Sequence, residues 1–109
     1  MFGQESVLKL SSADFMEAKI KYDKCICVLF YDDSDESKKA MREYAYVASA
    51  IVTPIFAAYY LPAKELITKY GIKLPAIVSF QNHELHQIYN KVMENTAITD
   101  FALINACSN

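Results

Sequence analysis

Apolar positions run unbroken from Cys25 to Tyr31 (CICVLFY), stop at the polar stretch Asp32 to Ser37, and then recur at helical spacing. A short continuous apolar run fits a strand covered on both faces. Ala40, Met41, Tyr44, Ala48 and Ile51 fall on one side of a helix that runs to about Ser49, with Pro54 beyond its end. Asp33 with Glu36 reads as the N-cap pair of that helix. The turn between strand and helix is the natural place for chemistry, because open α/β sheets hold ligands beyond the carboxyl ends of their strands.

Upstream, Ser6 to Leu10 alternates enough for a short strand, with Leu8 and Leu10 on the core face and Val7 and Lys9 opposite. Ser11 and Asp14 resemble a capping box, and Phe15 with Ala18 and Met16 with Ile20 give helical spacing. Downstream, Ile55 to Tyr60 reads as a third strand. Pro62 then opens a short helix, Ala63 to Tyr70, which Gly71 ends. Ala76 to Phe80 is a fourth strand, and the turn Gln81 to Glu84 leads by a hairpin to a fifth, Leu85 to Tyr89. Asn95 or Thr96 caps a last helix carrying Ile98, Phe101, Ala102 and Ala106. The order β-α-β-α-β-α-β-β-α predicts an α/β fold: a mixed central sheet of about five strands flanked by four helices. No repeat or linker interrupts it, so residues 1–109 read as a single domain.

Composition narrows the functions. A hydrophobic content of 53% supplies a core without metals or staples. The net charge of −2 gives no basic surface for phosphates, so no nucleic-acid partner is expected. Tyr44 to Ala63 carries no charge and approaches the ~20 residues that span a bilayer. Pro54, Pro62 and its tyrosines interrupt it, so no membrane span is expected. The N-terminus MFGQESVLKL lacks a signal-peptide pattern, which points to the cytoplasm, or to the endoplasmic reticulum if the chain is a fragment of a larger protein. Cys25 and Cys27 sit two apart on one strand, roughly 6.5–7 Å between Cα atoms and at the outer limit for a disulfide. Buried thiols in a reducing compartment are the simpler reading, with Cys107 a terminal cysteine able to cross-link chains under oxidation.

The element order and several local residues resemble the thioredoxin superfamily over nearly the whole chain. Val28, Leu29, Phe30 and Tyr31 stand where that family has its apolar strand ending in an aromatic. Tyr70-Gly71-Ile72 followed by Leu74-Pro75 looks like the family's segment containing a cis proline, and Phe80 and Asn82 match the strand and turn that follow. Ile72 to Pro75 is about one residue shorter than in bacterial thioredoxins, which leaves the isomer of Pro75 open.

The departures bear on function. With Phe30 placed on the family's strand phenylalanine, Asp35 and Lys38 fall at the two cysteines of its Trp-Cys-X-X-Cys-Lys segment. Ser34 falls at the tryptophan and Lys39 at the lysine. A dithiol enzyme needs a low-pKa thiolate at the helix N-terminus and a second sulfur to resolve the mixed disulfide. There is no cysteine between Val28 and Ala106, so this turn has neither. The family's buried proton-accepting acid falls at Leu29, its helix proline at Glu43, and its substrate-approach glycine near Asn90 or Lys91.

Other signals have plainer readings. Asp33-Ser34-Asp35 is similar to the Asp-X-Asp nucleophile of haloacid-dehalogenase-type phosphatases, but Glu36-Ser37 follows where that family has Gly-Thr. Its acids read as helix capping. The run also lacks the loop glycine and spaced bidentate glutamate of a calcium loop. His83 and His86 have no cysteine nearby and read as surface residues, not zinc ligands. Most of Tyr44, Tyr46, Tyr59, Tyr60 and Tyr70 are expected in or beside the core. No cofactor or metal is expected.

The resemblance implies a redox-inactive, protein disulfide isomerase-like scaffold that binds a protein or extended peptide. The expected surface is Ser34, Asp35, Glu36, Ser37 and Lys38 of the turn, Lys73, Leu74 and Pro75 of the loop, and Asn90 and Lys91, running on to Val92. Two alternatives are a structural subunit of a larger assembly and a thiol enzyme using Cys25 or Cys27.

Overall fold

The computed structural model describes residues 7–10, 12–22, 24–51, 55–60 and 74–105. In chain order these form β1 (Leu8–Leu10), α1 (Ala13–Tyr22), β2 (Cys25–Tyr31), α2 (Asp35–Ala50), β3 (Ile55–Tyr60), β4 (Ala76–Gln81), β5 (Glu84–Tyr89) and α3 (Asn95–Ile104). The five strands make one sheet in the order β1-β3-β2-β4-β5. β1, β3 and β2 run parallel, whereas β4 lies antiparallel to β2 and β5 antiparallel to β4. Three helices occur among the described residues; the helix expected over Ala63 to Tyr70 lies outside them.

The unbroken apolar run of β2 follows from its place at the centre of the sheet. Cys27 and Leu29 face α2 and α3, where Ala40, Met41, Tyr44, Val47, Ile98 and Ala102 close over them. Ile26, Val28 and Phe30 face the opposite side, with Leu10, Ala57, Val78, Phe80 and Ile20 of α1. Alternate side chains of a strand leave its two faces, so two buried layers require apolar residues at every position. Val7, expected opposite the core face of β1, is buried in the α2–α3 layer for the same reason.

Two helix starts differ from the sequence pattern. The N-cap of α2 is Ser34, not Asp33: its backbone is extended (φ −68°, ψ 159°) and its side chain accepts from the N–H of Ser37. Neither Asn95 nor Thr96 is the N-cap of α3; that position is Glu94, which makes no capping bond through its side chain. Glu43 of α2 supplies the acceptor instead, 2.8 Å from the N–H of Asn95.

The β4–β5 hairpin turns on Asn82 and His83, both at positive φ (53° and 73°), as a two-residue hairpin turn requires. A bulge then breaks the register, since Ser79 pairs with Gln87 but Phe80 with Leu85. The extra residue, His86, shares the α3 side of the sheet with Gln87, and both reach Asn105. Asn105 is buried, and it also accepts from Ser79 Oγ at 2.9 Å and donates to the carbonyl of Phe101 at 2.8 Å. His86 Nδ1 lies 2.7 Å from Asn105 Oδ1, which only accepts, so Nδ1 carries the proton. The two histidines expected at the surface are therefore also structural, His83 Nδ1 lying 2.9 Å from the carbonyl of Ile20.

The tyrosines divide. Tyr44 is fully buried, Tyr59 is half-buried, and Tyr46, expected near the core, is 63% exposed. Tyr70 lies outside the described residues.

Candidate functional site

The acidic turn is largely occupied with its own geometry. Asp32 Oδ1 accepts from the N–H of Ser34 at 3.0 Å and from Ser37 Oγ at 2.8 Å. Ser37 Oγ in turn accepts from the N–H of Asp32 at 3.1 Å. Hydrogen bonds from Ser34, and then from Ser37, hold the Asp32 carboxyl below its ordinary 3.8. Asp33 accepts from the hydroxyl of Tyr60, whose ring lies against that of Tyr31 at 5.5 Å. Asp35 and Glu36, in the first turn of α2, project into solvent.

Beside the turn lies a groove of about 380 Å³, lined by Glu36 and Lys39 of α2, Leu74 and Pro75 before β4, and Asn90 to Met93 after β5. The peptide bond between Leu74 and Pro75 is cis, which settles the isomer that the sequence left open. Met93 is buried, while Val92 is 61% exposed inside this groove. The carbonyl of Val92 accepts from the Tyr89 hydroxyl and from the N–H of Glu94, which fixes the path of the segment. Among the described residues, no loop hydrogen bond takes the backbone of Leu74, Asn90 or Lys91.

Of the residues expected at a contact surface, Glu36, Leu74, Pro75, Asn90 and Lys91 meet here, and Val92 with them. Four do not. Ser34 is bound up in the cap, and Asp35 lines neither this groove nor its neighbour. Ser37 is buried and Lys38 turns away, both lining a second groove of about 300 Å³ with Lys9, Tyr31 and Arg42. The cause is helical: five successive residues cannot all face one way, whereas 36 and 39 share a face, as do 38 and 42. Lys73 lies outside the described residues. Lys39 and Met93 complete the groove, and the i,i+3 spacing of Lys39 from Glu36 was the available signal.

Neither of the two described cysteines lines this groove. Cys27 is a free thiol in the middle of β2, 1% exposed, and burial pushes its pKa up from 9.0 to about 12. Cys25 is buried at the start of the same strand and disulfide-bonded, which corrects the expectation of a thiol there. Its Sγ lies 3.2 Å from the carbonyl oxygen of Asn105. Cys107 lies outside the described residues. Among the described residues no group of three or more His, Cys, Asp or Glu is placed to hold a metal ion. Nor is any described helix long and apolar enough to cross a membrane.

No protein-family model and no curated protein matches the sequence. Solved structures do. The oxidised thioredoxin of Plasmodium falciparum superposes with a TM-score of 0.77 at 14% identity, over 93% of this chain and 99% of that one. The oxidised mitochondrial thioredoxin 3 of Saccharomyces cerevisiae gives 0.77 at 14%, over 94% and 98%. A mutant thioredoxin from Halobacterium salinarum gives 0.74 at 14%, over 94% and 92%. At such identities the likeness establishes the fold and no more. The chain has a thioredoxin-like fold.

Proposed function

We propose that this domain binds protein without catalysing disulfide exchange, gripping an extended segment in the groove between α2, the Leu74–Pro75 loop and the segment after β5. One observation carries the reading. Three stretches far apart in sequence meet in that groove, and none of them contains a cysteine. Open backbone groups at Leu74, Asn90 and Lys91 suit pairing with an incoming chain, and Val92 offers it an apolar contact. A thiol role for Cys27 is disfavoured, because a buried thiol with so high a pKa has almost no thiolate at neutral pH.

The test has two arms. Insulin reduction with dithiothreitol as electron donor should stay at the rate without protein. A displayed library of random dodecapeptides should yield binders to the immobilised chain, retained by Asp35→Arg and lost by Leu74→Asp. Turnover abolished by Cys27→Ser would restore the enzyme reading. Binders indifferent to Leu74→Asp, or none at all, would remove the groove from consideration.

The disulfide at Cys25 favours an oxidising compartment, so of the two locations the sequence left open the endoplasmic reticulum is preferred. Trapping free thiols in intact cells before lysis tests this: Cys25 should escape alkylation until a reductant is added.

A further inference from the structure

Resting on that reading, we infer that the groove selects an extended segment in which an acidic residue stands next to a large apolar one. The apolar part of the lining is Leu74, Pro75, Val92 and Met93. The lining also carries two ammonium groups, Lys39 and Lys91, against one carboxylate, Glu36. Among the described residues neither lysine is held by an ion pair or hydrogen bond. The whole chain is net negative at −2, so this positive lining runs against the molecule's own balance. An acidic side chain entering the groove meets complementary charge, while a basic one meets repulsion from two sides. Glu36 stands three residues from Lys39 on one helix face and offsets that lysine first. Lys91, on another segment, is left as the stronger attractor.

The probes are three acetylated, amidated Gly-Ser peptides with a central leucine flanked by glutamate, serine or lysine. Each is titrated into the ¹⁵N-labelled chain while its amide shifts are followed. The glutamate probe should shift Leu74 and Asn90 to Met93 and saturate at about fivefold lower concentration than the serine probe. The lysine probe should be weaker still, and 0.5 M NaCl should erase most of the difference. Lys91→Glu should abolish the preference more fully than Lys39→Glu, and Glu36→Gln should strengthen it. Equal saturation by all three probes at these amides would overturn the charge inference and leave peptide binding intact. No shift at these amides from any probe would overturn both.

Discussion

Glu43 of α2 receives two hydrogen bonds from Asn95, one from its backbone N–H at 2.8 Å and one from its side-chain amide at 3.0 Å. A carboxylate from one helix thus closes the open end of another. The first N–H groups of any helix lack partners within it, and a negative acceptor also complements the dipole. Glu94, at the N-cap position, offers no side-chain bond of its own. The pair therefore ties α2 to the stretch that carries Asn90 to Met93 into the groove.

Replacing Glu43 by alanine should lower stability by about 1 kcal/mol, the usual cost of a lost cap. Glu43→Gln keeps an acceptor and should lose less. Urea midpoints measure both, and unchanged midpoints would mean that the bond contributes nothing. Added shifts in the amides of Asn90 to Met93 would show that it also positions the groove.

Tyr44 sets the distance between helix and sheet on that side. It is fully buried, and its hydroxyl lies 2.9 Å from the carbonyls of both Cys27 and Ala57, on the neighbouring strands β2 and β3. One proton serves two acceptors, and the ring meets Phe56 edge-on at 5.5 Å. Tyr44→Phe keeps the packing and should cost about 1 kcal/mol. Tyr44→Ala also opens a cavity and should cost about 3–5 kcal/mol. Thermal or urea unfolding separates the two, and equal losses would mean that the hydroxyl is irrelevant.

These relationships show what the sequence could disclose. The bounds of β2 and β3 follow from periodicity, because a doubly covered strand must be apolar throughout. α2 was legible to within a residue at its C-terminal end for a similar reason. Its N-cap was not: Asp33 and Ser34 have similar capping propensity, and what separates them is that Asp33 is engaged by Tyr60, 27 residues away. The Glu43–Asn95 bond spans 52 residues, so no local spacing announces it. The bulge at His86 is likewise invisible without the partner strand. The groove was half legible, since a contiguous run such as Ser34 to Lys38 ignores the rotation of a helix.

Asp32 gives the acid limb of stability a specific cause. Its folded pKa is held below 3.8 by Ser34 and Ser37, so its contribution is present above that value and fades as pH falls through the folded pKa. Asp32→Asn removes this dependence. The variant should be less stable at neutral pH, and the gap from wild type should narrow below about pH 4. Urea midpoints at several pH values would show it; a constant gap would mean that the carboxylate charge plays no part.

Cys27 governs the alkaline side. Its folded pKa, about 12, stands above the ordinary 9.0, so the unfolded chain loses this proton first as pH rises. Stability is then complete below 9.0 and falls between there and 12, with a limiting slope of about 1.4 kcal/mol per pH unit from this one group. Tyr44, raised well above 10.0 by burial and then by Cys27, adds a second proton with the same sign above that value. Cys27→Ala should remove the first part of the decline and leave the part due to Tyr44. The same burial predicts that iodoacetamide at pH 8 modifies Cys27 only after unfolding. Rapid alkylation of the native chain, or identical alkaline profiles for wild type and Cys27→Ala, would mean that the thiol reaches water, and the case against thiol chemistry would lose its physical footing.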